Sequence, residues 1–114
     1  MKTLNRDQLA NLLARNGHIH LINVLSPEDF STAHIPGSYN IPVADEEFVQ
    51  KVAARITRKD ADIVVYCANL DCTASPNAAR RLEEAGYTSV ADYEAGIRDW
   101  QEAGYPVVTG QQQF

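Results

Sequence analysis

The chain reads as an α/β fold: a parallel β-sheet with helices on both of its faces. Three observations predict it. Strand-like and helix-like segments alternate from one end to the other. The strand candidates are nearly continuous apolar runs, as burial on both faces requires, above all Ile63-Val64-Val65-Tyr66. At 114 residues, with 45% hydrophobic and 22% charged side chains, the chain also suits one compact domain rather than two.

The first helix is expected from about Asn5 to Ala14, where Leu9, Leu12 and Leu13 recur at helical spacing and Gly17 supplies a stop. His18 to Leu25 reads as a strand. Ser26-Pro27-Glu28-Asp29 opens a short helix, with Ser26 as its cap and Pro27 in the first helical position. His34-Ile35-Pro36-Gly37-Ser38 is a turn, and Tyr39 to Val43 a short strand placed at a sheet edge, because Pro42 lacks the N–H that a central ladder needs. A second amphipathic helix is expected over Asp45 to Ile56. Asp62 to Cys67 is the strongest strand signal in the chain and stops at the cysteine. The loop Ala68 to Ala74 then leads to Ser75-Pro76, expected as cap and first residue of a helix that Gly86 ends. Ser89 to Tyr93 forms a further strand, the segment around Ile97 to Ala103 the last helix, and residues 109–114 a loose tail beyond a domain spanning 1–108.

A net charge of -5, with basic residues scattered among acidic ones, argues against a nucleic-acid partner. No apolar run nears the roughly 20 residues of a membrane span, so the expectation is a cytoplasmic protein. Cys67 and Cys72 make no disulfide framework and are expected as reduced thiols.

Reactive groups in open parallel sheets gather beyond the carboxyl ends of the strands, which is where Cys67 falls. A loop running from it into a helix start offers curved main-chain N–H groups and a positive helix end, both of which favour a thiolate over a thiol. Cys67 is therefore the candidate nucleophile. Its loop, Ala68, Asn69, Leu70, Asp71, Thr73, Ala74 and Ser75, is the candidate cradle, and Cys72 a possible second thiol.

Several further residues belong together. Ile63-Val64-Val65-Tyr66-Cys67 is followed by Ala78-Ala79-Arg80-Arg81-Leu82, then by Gly96-Ile97-Arg98-Asp99-Trp100 and Gly104-Tyr105-Pro106-Val107. Upstream stand Leu21-Ile22-Asn23-Val24, Pro27-Glu28-Asp29-Phe30 and His34-Ile35-Pro36-Gly37-Ser38. In order and spacing this set resembles the rhodanese-like family over nearly the whole chain. The resemblance implies a five-stranded parallel sheet and a sulfurtransferase that moves sulfane sulfur from a donor to a thiol acceptor through a persulfide on Cys67, with no metal and no cofactor.

The departures are specific. The family's loop is usually two residues shorter and often carries an arginine, whereas the segment from Ala68 to Ala74 has no cation and contains Asp71. Dianionic donors such as thiosulfate are expected to bind poorly there, since desolvating them beside a carboxylate lacks compensation. The chain looks like the variant in which a second cysteine lies inside the loop, and the spacing raises the option that Cys72 attacks a Cys67 persulfide or relays its sulfur.

Other readings stand beside this one. A non-catalytic binding or regulatory module would keep the fold without turnover. A zinc site would need Cys67 and Cys72 to converge with two of His18, His20 and His34, at a spacing wider than structural zinc prefers. Phosphatase or arsenate reductase chemistry would want a loop arginine for its oxyanion. His34 is expected to fix its turn, Trp100 to anchor packing, and Arg80, Arg81 and Arg98 to face solvent, although one of these arginines is an option for the pocket mouth. Asp92 and Glu94 are expected at exposed ends of elements.

Overall fold

The computed structural model describes residues 2–15 and 17–110. In chain order the elements are β1 (Lys2–Thr3), α1 (Arg6–Arg15), β2 (His20–Asn23), α2 (Pro27–Thr32), β3 (Tyr39–Asn40), α3 (Phe48–Arg55), β4 (Ile63–Tyr66), α4 (Ala74–Glu84), β5 (Val90–Tyr93) and α5 (Gly96–Glu102). They form a five-stranded sheet of order β1-β5-β4-β2-β3, and every pairing is parallel. The α/β architecture read from the sequence is the observed one.

β4 lies at the centre because it can be buried on both faces. Ile63, Val65 and Cys67 point into one apolar layer, with Phe48 and Val52 of α3 and Ala78, Ala79 and Leu82 of α4. Val64 and Tyr66 point into the other, with Leu9 of α1, Trp100 of α5 and Tyr93. This alternation follows from the two-residue period of a strand. Each of the larger side chains so buried contributes about 1.5–3 kcal/mol through surface removed from water. β3 occupies an edge, as Pro42 required.

Among the departures from the sequence reading, three have a clear local reason. α3 begins at Phe48 rather than Asp45, because the Asp45 carboxylate accepts the Glu47 N–H at 2.8 Å and holds residues 45–47 in a turn. α4 begins at Ala74, so Ser75 is not its cap but lies inside the first turn with its hydroxyl free for another partner. β1 carries no hydrophobic pattern and is made by pairing alone, Lys2 with Ala91 and Thr3 with Asp92. At the other end, an isolated antiparallel bridge joins His34 to Val108, and the Gly110 N–H donates to the Ser31 carbonyl at 2.7 Å. Thr109 and Gly110 of the expected tail are therefore tied down, and 111–114 lie outside the described residues.

No helix among the described residues is long and apolar enough to cross a membrane.

Candidate functional site at the carboxyl end of the central strand

Cys67 follows the last residue of β4, between the ends of β2 and β5. Its backbone is fixed by α5: the Ile97 N–H donates to the Cys67 carbonyl at 2.9 Å and the Arg98 N–H to the Ala68 carbonyl at 3.0 Å. This close approach requires Gly96, whose φ of +70° disfavours any side chain.

The loop then turns back over the cysteine. The Asn69 side chain accepts the Asp71 N–H at 3.0 Å, and the Asn69 carbonyl accepts the Cys72 N–H at 3.1 Å. Such side-chain-to-backbone bonding is a common device for closing a tight loop on itself. It brings Cys72 down onto Cys67. Both cysteines are free thiols, and each influences the ionisation of the other.

The loop's main-chain groups act on the two thiols unequally. The main-chain groups of Ala68, Ala74 and Ser75 favour the charged form of Cys72. Together with the Cys67 thiol they hold the half-buried Cys72 below the ordinary thiol range, overcoming the opposing effect of its burial. Cys67 itself is fully buried. Burial pushes its thiol up to about 11, and Cys72 adds to the rise, while the Ser75 hydroxyl and N–H oppose it. In the resting site Cys72 is thus held low and Cys67 raised, whereas the sequence reading placed the anion on Cys67.

The Cys67 thiol has two acceptors, Ser75 Oγ at 3.3 Å and, more weakly, the Cys72 carbonyl at 3.8 Å. Ser75 is buried, its hydroxyl directed under Cys67 from the first turn of α4. Of the remaining loop side chains, Ala74 packs against the core and Ala68 and Asn69 are half-buried. Leu70 is the one large apolar side chain exposed among the described residues, at 72%, and Asp71 and Thr73 are also exposed. Asn69, Leu70 and Asp71 line a shallow cavity with Ala95, Arg98, Asp99 and Glu102.

Other expectations sort as follows. Arg98 reaches that cavity's rim, pairing with Glu102 at 3.7 Å. Arg81 instead donates to the Val43 carbonyl, and Arg80 bonds Asn77. His34 is buried, stacked on Phe30 and bonded through Nδ1 to the Phe30 carbonyl at 3.0 Å, a turn-fixing arrangement. Trp100 packs against Tyr93 and Tyr105 and donates to the Pro106 carbonyl at 2.8 Å. No cluster of three or more potential metal-binding side chains forms among the described residues.

The sequence reading missed one polar residue near the site. Asp92 is not an exposed element end but fully buried. It sits in β5 opposite Val65, on the same sheet face as Val65 and Cys67. Its signal was available: alternation in Val90-Ala91-Asp92-Tyr93 puts Asp92 on the face of buried Val90. Burial raises its pKa, Glu94 raises it further, and Ser75 alone pulls it down.

The chain was also compared with known proteins. The rhodanese-like domain family matches residues 5–103. An HTH-type transcriptional regulator of Mycobacterium tuberculosis is 37% identical over 103 residues, which are 89% of this chain and 43% of that protein. The thiosulfate sulfurtransferase PspE of Escherichia coli is 34% identical over 80 residues, 70% of this chain and 72% of that one. Among solved structures, a thiosulfate sulfurtransferase from Pseudomonas aeruginosa superimposes with a TM-score of 0.82 at 30% identity, covering 96% of this chain and 20% of the other. The chain thus spans less than half the length of the mycobacterial relative. With the parallel sheet, the loop-cradled cysteines and a match over most of its length, this chain belongs to the rhodanese-like family.

Proposed function

We propose that the protein is a sulfurtransferase that carries sulfane sulfur as a persulfide on Cys67 and uses Cys72 as the entry thiol. The observation that supports this reading is the free Cys67 at the end of the central strand, its thiol directed at the buried Ser75 hydroxyl and at the carbonyl of Cys72, whose loop folds back over it. Relatives named thiosulfate sulfurtransferase and putative sulfur carrier protein support sulfur transfer as the class of reaction.

The steps balance without a cofactor. The Cys72 thiolate attacks the outer sulfur of a donor persulfide, forming a Cys72 persulfide and releasing the donor thiol. Cys67, deprotonated, attacks that same outer sulfur, so the new S–S bond forms on Cys67 and the Cys72 thiolate leaves. An acceptor thiolate then takes the sulfur from Cys67 and restores the resting pair. The loop's N–H groups stabilise whichever sulfur bears the charge. No loop cation is available to compensate a dianion, so a neutral or protein-borne donor suits the site better than thiosulfate.

Mass spectrometry tests the proposal. Offered polysulfide or a low-molecular-weight persulfide, the wild type gains one sulfur on Cys67. Cys72→Ser loads more slowly, and Cys67→Ser passes no sulfur to a thiol acceptor. A protein that stays unmodified with thiosulfate, polysulfide and persulfide donors overturns the reading.

One observation favours a second reading, a regulatory module without turnover: Cys67 is sealed from solvent in the resting state. The likeness to a transcriptional regulator agrees with it. That reading expects the unmodified domain to bind a partner protein and gains support from the negative result just described.

A further inference from the structure

Burial raises the Cys67 thiol well above its ordinary range, so it is protonated at neutral pH and a nucleophilic Cys67 needs a base. Solvent does not reach it, and Cys72, held as the more acidic thiol, is a poor proton acceptor. The sulfur-transfer steps above leave a buried carboxyl on the sheet face of Cys67 unused. Asp92 is 0% exposed, and neither of its carboxylate oxygens completes a hydrogen bond. A buried carboxyl left in that state costs stability, and a fold that keeps one invites a functional explanation.

The placement is direct. Asp92 pairs with Val65, two residues before Cys67 on the same sheet face, and α4 packs over this face. In the first turn of α4, the buried Ser75 accepts the Cys67 S–H at 3.3 Å, and its hydroxyl favours the charged form of Asp92, although no hydrogen bond reaches either carboxylate oxygen at rest. With the thiol proton directed at Ser75 Oγ, the serine's own hydrogen is free to turn toward Asp92. The other groups around the carboxyl are Thr3, at the paired position of β1, and Glu94, beyond the end of β5. Neither is a cation that would pin Asp92 as a permanent anion.

We propose that Asp92 is a positioning residue that accepts the Cys67 proton through the Ser75 hydroxyl and so makes the buried thiol a nucleophile at neutral pH. The Cys67 S–H bond breaks as its proton passes to Ser75 Oγ. The original Ser75 proton passes to an Asp92 oxygen, and the negative charge moves from carboxylate to sulfur with no net change. After Cys67 has attacked, the protonated Asp92 returns its proton by the same route to the thiolate that leaves when the sulfur moves on. The inference rests on the sulfur-transfer reading for its purpose, but not for its test.

The test follows alkylation of Cys67 by iodoacetamide as a function of pH in the Cys72→Ser protein, where one thiol reports. With Asp92 in place, the rate rises as the carboxyl ionises and then stays level through neutral pH, because proton transfer within the relay does not depend on bulk pH. With Asp92→Asn added, the level region disappears and the rate climbs roughly tenfold per pH unit, as direct ionisation of a thiol dictates. At pH 7 it falls at least about tenfold below the parent. Ser75→Ala reproduces this profile, and the double variant adds nothing to either change. A profile unaltered by Asp92→Asn overturns the proposal, as does a Cys67 that fails to react near neutral pH with Asp92 present. Persulfide loading of the same proteins separates the two ideas. Loading with an unaltered alkylation profile removes the relay alone, whereas the predicted profile without any loading removes sulfur transfer alone.

Discussion

Gly96 lies so close to Cys67 that a β-carbon on it would stand 2.4 Å from the Cys67 carbonyl oxygen and 2.7 Å from the Ala68 carbonyl carbon. The glycine therefore does two things at once. It supplies the positive φ that turns the chain from β5 into α5, and it lets the first N–H groups of that helix reach the backbone of the cysteine.

Gly96→Ala is accordingly expected to destabilise the fold by about 2 kcal/mol or more, since both the dihedral and the clash oppose it. Thermal unfolding of the variant reads this directly. Gly104→Ala is the control, because that glycine shares a positive φ but has no neighbouring atom within 4 Å of an added β-carbon. An equal loss in both variants would show that φ alone matters and that the contact with Cys67 does not.

The two thiols are expected to titrate in the order opposite to their place in the motif. Cys72 is held low by its neighbour and by three main-chain groups, and Cys67 is pushed up to about 11 by burial. Alkylation of the wild type at mildly acid pH, read by peptide mass spectrometry, modifies Cys72 first. Faster modification of Cys67 under those conditions would contradict the assigned geometry.

Asp92 should weaken the fold as pH rises. Its carboxyl has a folded-state pKa above the unfolded value of about 3.9, so the native state binds the proton more tightly than the unfolded chain does. The penalty is absent below the unfolded pKa, grows as pH rises through the folded one, and is constant above it. Asp92→Asn is expected to gain stability relative to wild type on going from about pH 4 to pH 8. Urea unfolding at the two pH values measures it, and a difference independent of pH would count against a buried ionising carboxyl.

Asp71 bears on donor choice. Its exposed side chain sits in a loop without a cation. Asp71→Arg is expected to raise the rate with thiosulfate several-fold while leaving loading by a neutral persulfide nearly unchanged, because charge complementarity acts mainly on the anionic donor. Parallel kinetics with the two donors decide it.

Much of this was legible in the sequence because it is written in local pattern. The continuous apolar run into Cys67 made β4 central, Pro42 put β3 at an edge, and Ser26 caps α2 through the Asp29 N–H as its position before Pro27 suggests. What escaped depends on pairing or three-dimensional contact. β1 is two exposed residues that become a strand only by hydrogen bonding to β5. Ser75 looked like a cap, since a serine before a proline usually is one, yet the helix starts a residue earlier and sends that hydroxyl to Cys67. That a loop would lie beside Cys67 followed from a strand ending in a loop and a helix. Which sulfur its main-chain groups favour did not, because that turns on how Asn69 folds the loop back.

Acidity here is conferred by a neighbouring sulfur and by peptide groups, not by the side chains of residues 69–71. The Asn69–Asp71 stretch around exposed Leu70 is thus at liberty to diverge and recognise different donors or acceptors, provided the turn itself survives, while the reactivity of the sulfurs beneath is left undisturbed.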